Sequence, residues 1–543
     1  MPMRMRNILA ALLAVCLLAG LPLSGAVATQ ADVPADPPAA QADASDETAD
    51  APPDSEDEPP AQEEAPVASV ELTMMGFDDS SARDWSTSAF FTRMLDKTGV
   101  AFTFQQYREY DAYQKAKADV LGGETLPHVL FKADLSPQEE LRYAQDGTLI
   151  DLAPLLEAHA PNLSALLAEH PAWREAITLP DGKIVALPAI TSPERQIVLW
   201  VNQWWMEALS LDMPTTPDAF RAMLTAFLNG DPNSNGKRDE IPLMLIGPWE
   251  ARWLMSFFGL AANDYNVYLD EAGTVRYAPL EPEFALFLAY LRDLQAEGLL
   301  GKSAFRTTHA AEEMTEKEVS PLRVGSLLGF GATYSLLDTK YTEQYVALPP
   351  MAYDGRITYR DLLGEVWRGT FAITRACPDP AAALRWVDQL YAPEAAILGW
   401  AGLEGEDYEV NEDGSWTFLV DEFRSMEQVQ NESLITGGAS VPGMQPKAFW
   451  NSVDIAMERH SVAQSDMVAR DARMPMPPLY LAQAAQDEID ALQVTLGRIV
   501  DEAIARFATG EIPLDDEQLA AFAQQLREGG ADRMLALWQQ AIH

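Results

Sequence analysis

Residues 231–240 read DPNSNGKRDE and run directly into IPL. Asp231, Asn233 and Asn235 sit at alternate positions, Gly236 follows where a sharp turn is needed, and Asp239 and Glu240 close the run. A hard cation takes about six to eight oxygens, and a loop offering side chains from positions 1, 3, 5 and 9 and a carbonyl from position 7 wraps one ion. Position 7 is Lys237, which has only its carbonyl to give. The full EF-hand pattern puts a glutamate at position 12. That place is Pro242, and the glutamate comes two residues early as Glu240, so this is not an ordinary helix–loop–helix hand. An Asx-rich turn competes, since Asp, Asn, Pro and Gly form turns without metal. Three alternating oxygen side chains before one glycine, with two acids after it, favour a structural Ca2+ held by Asp231, Asn233, Asn235, Lys237, Asp239 and Glu240.

The elements that must hold such a loop begin well inside the chain. The first residues combine a basic start (Arg4, Arg6), an apolar run from Ile8 to about Leu23, and small residues at Ala26 and Ala28, which reads as a signal peptide over 1–28. A membrane anchor competes poorly with a short run broken by Pro22. Lipidation at Cys16 competes too, but Val15 precedes it and the apolar run continues past it. Residues 29–69 are mostly Ala, Pro, Asp and Glu, cannot bury enough to offset their ordering entropy, and read as a disordered acidic tether. An exported protein at a bacterial cell surface or in a periplasm, free or membrane-anchored, is the expectation. Once the leader is removed only Cys377 remains, so no internal disulfide can form.

The body from Val70 is too long for one simple core, and at least two lobes are expected. Strand-like runs at 70–75, 100–107 and 128–131 alternate with helical patterns near 88–97 and through 110–121, which implies βαβ units and a parallel sheet. Similar runs return at 323–330, 345–349 and 370–374, and long helical patterns cover 482–507 and 519–542. With 82 acidic against 38 basic residues the net charge is −44, which makes nucleic acid and anionic lipid surfaces poor partners.

A series of short motifs then falls in a familiar order: Tyr143-Ala144-Gln145-Asp146-Gly147, Asp151-Leu152, Asp181-Gly182-Lys183, Leu187-Pro188, Leu199-Trp200-Val201-Asn202, Pro214-Thr215-Thr216-Pro217, and Ala226-Phe227 before the 231–240 loop. Ala296-Glu297-Gly298-Leu299, residues 383–388 and Gly405-Glu406-Asp407-Tyr408 continue it. From about residue 70 to the C-terminus the chain resembles an extracellular solute-binding protein of a bacterial ABC importer, in the carbohydrate-binding branch that includes alginate-oligosaccharide binders. The resemblance implies an α/β, two-lobed periplasmic-binding-protein-like fold with a hinge crossed three times and a helix-rich C-terminal part. Crossings are expected near Ile190–Glu194, Tyr345–Pro350 and Trp400–Gly405. They assign 70–192 and 347–400 to one lobe, and 193–346 and 401–543, with the calcium loop, to the other. A monomer that captures a mono- or oligosaccharide between its lobes and delivers it to permease subunits is the function implied.

A sugar cleft needs aromatic platforms and polar side chains for hydroxyls. Of thirteen tryptophans, Trp85, Trp200, Trp249, Trp253, Trp367 and Trp450 fall in or near loops or crossings, although any one of them could equally be core. Trp367-Arg368 in EVWRGTF and Trp450 in KAFWNS pair a ring with a polar neighbour where the strand pattern breaks. Asp78 and Trp85 follow the carboxyl end of the first strand, where open α/β sheets bind ligands. Glu194 and Arg195 lie at the first crossing. An exported glycosidase or lyase is the rival from another class, since two suitably spaced carboxylates would suffice. Yet neither G-x-S-x-G nor H-E-x-x-H occurs and the six histidines lack ligand spacing, so a non-enzyme is expected. A ligand-sensing surface protein would share the fold. The acidic field disfavours uronic acids, which Arg368 and Lys447 would have to attract against it, and makes a neutral glycan the expected ligand.

Overall fold

The computed structural model describes residues 70–543 apart from 79, 81, 192–196, 246, 302–303, 306–322, 330, 333–338, 361–365, 437–440, 446, 454–455 and 543. The expected leader and tether, and Glu194 and Arg195, lie outside the described residues. Among those described, no helix is long and apolar enough to cross a membrane.

Two sheets organise the body. The first has six strands in the order Gly443–Met444, Ala186–Ile190, Val366–Ile373, Val129–Phe131, Val70–Phe77, Val100–Tyr107. The second has four, ordered Tyr345–Ala347, Val198–Asn202, Val324–Gly329, Ile241–Met244. Residues alternate between the faces of the first sheet, as the period of two demands. Met74, Val129 and Phe131 enter one apolar cluster with Trp85 and Trp386, while Met75 and Leu130 enter another with Tyr113 and Tyr143. Helices therefore cover both faces, which is why these strands read as nearly continuous apolar runs. The second sheet shares one large core with helices Pro217–Gly230, Pro282–Ala296 and Gln483–Ala508, around Trp200, Phe227, Leu243, Leu291 and Ile504.

The expected parallel sheet is in fact mixed. Val70–Phe77 runs parallel to Val100–Tyr107 and to Val129–Phe131, but Val366–Ile373 enters antiparallel between Val129–Phe131 and Ala186–Ile190. It arrives from the other lobe and not through a crossover helix, so the rule that makes βαβ strands parallel does not govern it. The C-terminal helical run also divides, into Asp516–Glu528 and Ala531–Ile542, at Gly529-Gly530.

The chain passes between the sheets three times. It leaves the first after Ile190 and enters the second at Val198, and it returns between Ala347 and Val366. The third passage is not at Trp400–Gly405. Residues beyond that point stay with the first sheet: Arg93 Nη1 pairs with Asp407 Oδ2 at 2.5 Å, Ile435 N donates to Gly399 O, and Gly443–Met444 pairs with Ala186–Ile190. The final passage follows Met444 and ends in helix Ala456–Ala469. That helix is bound to the second sheet through Gln464 Oε1, which accepts from Ala347 N at 2.9 Å, and His460 Nε2, 2.8 Å from Tyr345 O. A glycine-marked turn after a helix looks alike in sequence whether it ends a lobe or folds back on it. Buried Asp407, which also binds Arg424 and Ser433, decides for folding back.

Candidate functional site: an inter-lobe cleft and an oxygen-rich loop

The 231–240 loop joins helix Pro217–Gly230, capped by Thr216 Oγ1 accepting from Ala219 N, to strand Ile241–Met244. A strand therefore follows where an ordinary hand would carry its second helix. Asp231 has φ 46° and turns the chain inward, so that its Oδ1 accepts from Asn235 N at 3.0 Å and its Oδ2 from Gly236 N at 3.1 Å. Asn233 Oδ1 also accepts from Asn235 N, and Asn235 Oδ1 accepts from Lys237 N at 2.7 Å. Gly236, at φ 71°, takes the left-handed conformation that lets these carboxyl and amide oxygens converge. Asn235 Nδ2 donates to Asp239 Oδ1 at 2.9 Å, and Arg323 Nε lies 3.4 Å from Asp239 Oδ2; the first of these contacts chiefly lowers the Asp239 pKa. Glu240 is buried, and its Oε1 has no hydrogen-bond partner among the described residues. The loop's side-chain oxygens are thus turned onto its own N–H groups, and among the described residues no three Asp, Glu, His or Cys side chains are gathered closely enough to hold a metal ion.

The sequence-derived cleft residues divide into three groups. Asp78 and Trp85 are core. Asp78 is fully buried at the end of strand Val70–Phe77, and accepts from Arg83 Nη1 at 2.9 Å, Lys132 Nζ at 3.1 Å and Trp85 Nε1 at 3.1 Å. Burial pushes its pKa up, but Lys132 and Arg83 outweigh that and hold it below the ordinary carboxylate range. Trp85 packs edge-on to Phe131 at 5.5 Å and presents no face to a sugar. The tryptophan follows the strand end, as the sequence indicates, but its indole N–H joins the donors that satisfy buried Asp78 while its ring packs against Phe91, Phe104 and Phe131.

Trp200, Trp253 and Trp450 are also buried. Trp200 donates to Gly329 O inside the second sheet. Trp253 lies in the short helix Arg252–Phe258 with the Arg360 guanidinium 4.9 Å over its ring, and Trp450 packs against Phe449 in a small cluster with Trp416 and Tyr408. These are structural positions in place of the expected platforms.

Trp249, Trp367 and Arg368 are half-buried. Trp249 follows strand Ile241–Met244 and meets Trp253 edge-on at 6.4 Å. Trp367 and Arg368 sit at the start of Val366–Ile373, where pairing to Ala186–Ile190 shifts register before Phe371. Gly369 makes that bulge possible: it has φ 73°, and a Cβ there would lie 2.2 Å from Leu135 O. The guanidinium of Arg368 stacks on Tyr480 at 4.4 Å, and Tyr480 donates to Glu140 Oε2 at 2.8 Å. Arg360, Tyr480 and Glu140 went unnoticed in the sequence, since in TYRDLL, PPLYL and PQEELRYAQ each looks like an ordinary surface residue.

Comparison with known proteins agrees with this architecture. No protein-family model matches the chain. Over 351 residues it is 27% identical to the fructooligosaccharide ABC transporter substrate-binding protein FusA of Streptococcus pneumoniae, an alignment covering 61% of this chain and 62% of that protein. The chain thus spans less than two thirds of this relative's length. Among solved structures it matches a human-milk-oligosaccharide (HMO) binding, ABC-transporter-associated solute-binding protein of Bifidobacterium longum infantis, with TM-score 0.72 at 17% identity over 88% of this chain and 99% of that one. It also matches a FusA EF-hand mutant in complex with fructo-nystose, with TM-score 0.63 at 21% identity over 87% and 99%. The fold is that of two-lobed solute-binding proteins, and the likeness to sugar-binding ABC-transporter components drawn from the sequence motifs stands.

Proposed function

We propose that the protein captures an oligosaccharide between its lobes and hands it to an ABC importer. The observation that carries this is the pair of sheets joined by three passages of chain, with half-buried aromatics, Trp249 and Trp367, beside strand termini of different lobes. Ligand touching both lobes favours the closed population in proportion to its extra contacts there. Trp249, Trp367 and Arg368 are the binding residues this reading retains, with a neutral glycan as ligand. FusA and the HMO-binding neighbour, both named as binding proteins of ABC transporters, support the ligand class. Export to the cell surface accords with both.

Calcium belongs to the same reading. Asp231, Asn233, Asn235, Asp239 and Glu240, with the carbonyl of Lys237, would hold one ion that clips helix Pro217–Gly230 to strand Ile241–Met244; the bare Glu240 Oε1 supports it, as does the EF-hand named for FusA. A thermal-shift screen against fructooligosaccharides, milk oligosaccharides and alginate oligosaccharides tests the function, followed by calorimetry on any hit. A stabilising glycan that is bound without release of reducing sugar is expected. Turnover of the bound sugar would make the protein an enzyme, and silence across the panel would remove the glycan reading.

A further inference from the structure

Between Ala472–Arg473, which pairs with Tyr359–Arg360, and helix Gln483–Ala508, the chain runs as an extended strap. Its two ends belong to the second lobe: Leu269 N donates to Pro475 O, and Leu481 enters the second core. Met476 and Leu479 pack on that core as well, and the Tyr480 side chain turns the other way. Tyr480 leaves that core, packs against the first-lobe cluster of Tyr113, Leu130 and Tyr143, and donates to Glu140 Oε2. Arg368 of the first sheet closes over the Tyr480 ring at 4.4 Å and donates from Nη2 to Leu479 O at 3.4 Å. Two residues before Glu140, in helix Pro137–Gln145, Gln138 donates to Gln486 Oε1 at 3.2 Å, and Gln486 in turn binds Asp490.

We infer that Glu140, Tyr480 and Arg368 form a latch between the lobes, which must release for them to open fully and which thereby sets how readily a ligand enters the cleft. The proposal rests on the two-lobed capture reading. The latch lies beside the second passage, a few residues from Val366, and joins the lobes without a covalent link, so it limits the hinge directly. Its first-lobe side is rigid. The helix Pro137–Gln145 carrying Glu140 begins with a complete capping box between Ser136 and Glu139, and Lys117 Nζ fixes Glu139 Oε2 at 3.0 Å. Glu140 is almost wholly buried, with Oε1 lacking a hydrogen-bond partner among the described residues, so its charge is poorly compensated while the latch is shut.

Burial accordingly pushes the Glu140 pKa up to about 7; Arg368 and the Tyr480 hydroxyl oppose the rise, and Glu139 adds to it. These are the charged or titratable groups that bear on it, from β-sheet, strap and its own helix. An acid whose pKa is raised in one state holds its proton more tightly there. The latch is therefore favoured most in acid, below the ordinary carboxylate value of 4.5, loses that advantage as pH rises from there to about 7, and changes no further through this group above it.

Small-angle scattering of the ligand-free full-length protein between pH 4 and 8.5 tests this without any sugar, so failure of the glycan assignment leaves the result readable. The parent is expected to expand as pH rises from about 4.5 to about 7 and to change no further above that. Glu140→Gln should remain compact throughout, and Tyr480→Phe should match the parent in acid but be more expanded at the alkaline end, because the lost hydroxyl had held the ionised carboxylate in the shut state. Tyr480→Ala, if circular dichroism shows it folded, should be expanded at both extremes. A parental pH response in Glu140→Gln, a parent profile insensitive to pH, or a folded Tyr480→Ala with the parental profile would each overturn the latch.

Discussion

Replacing Asp78 by Ala removes the acceptor at the centre of the first lobe. The lost carboxylate takes hydrogen bonds from Arg83, Lys132, Trp85 and Ser80 N, and leaves two cations behind, of which Lys132 is fully buried and Arg83 nearly so. Lys132 retains a 3.3 Å contact to Ile435 O, and Arg83 two contacts to Gln430 O; these are neutral acceptors that cannot cancel the charge. Removing one partner from a buried ion pair costs about 3–5 kcal/mol. At about 2–4 °C per kcal/mol for a lobe-sized unit, the melting temperature should fall by roughly 6–20 °C. The decisive comparison is the double variant Asp78→Ala/Lys132→Met, followed by differential scanning calorimetry and urea melts. Taking away the stranded cation should recover part of the loss, so the two changes together must cost less than their sum. The pH dependence adds a second check. A carboxyl held below its unfolded pKa contributes stability that is complete above the unfolded value and is lost as pH falls through the folded one, so the parent should destabilise in acid more steeply than Asp78→Ala. A single-variant loss under about 1 kcal/mol, or strict additivity in the double variant, would refute the argument that Asp78 is the hub of this core.

Three other outcomes are expected. Chelation with EDTA should lower the melting temperature and added calcium restore it, with stabilisation of about 2.7 kcal/mol at a hundredfold excess over Kd; Asp231→Ala should abolish the response, and equal melts with no calcium in metal analysis would count against the ion. Trp249→Ala and Trp367→Ala should each weaken binding of the glycan found by screening by about 1–3 kcal/mol, one to two decades in Kd by calorimetry, with circular dichroism unchanged. Trp450→Ala should do the opposite, lowering stability by about 3–5 kcal/mol while any folded fraction binds normally, because its ring is buried against Phe449; weak binding by a fully stable Trp450→Ala would return that residue to the cleft.

The elements with local causes were legible in the sequence. Val100–Tyr107 and helix Tyr110–Leu121 lie where apolar period and length put them, and the oxygen-rich loop shows the alternation and the Gly236 turn that its spacing implies. What escaped was set by contacts distant in sequence. Trp85 and Trp249 are indistinguishable as letters near strand ends, but one is drawn into the core by a carboxylate seven residues earlier and the other is left half-exposed. The third passage was misplaced by some forty residues for the same reason: Asp407 holds its segment to the first lobe through Arg93, over three hundred positions away. The latch is the extreme case, since Glu140 and Tyr480 are separated by 340 residues. The capture proposed above lies between lobes, so the residues that would govern it are those whose partners come from another stretch of chain. Local patterns can therefore locate strands, helices and the oxygen-rich loop, while the contacts between the lobes emerge only when the two sheets are set against each other.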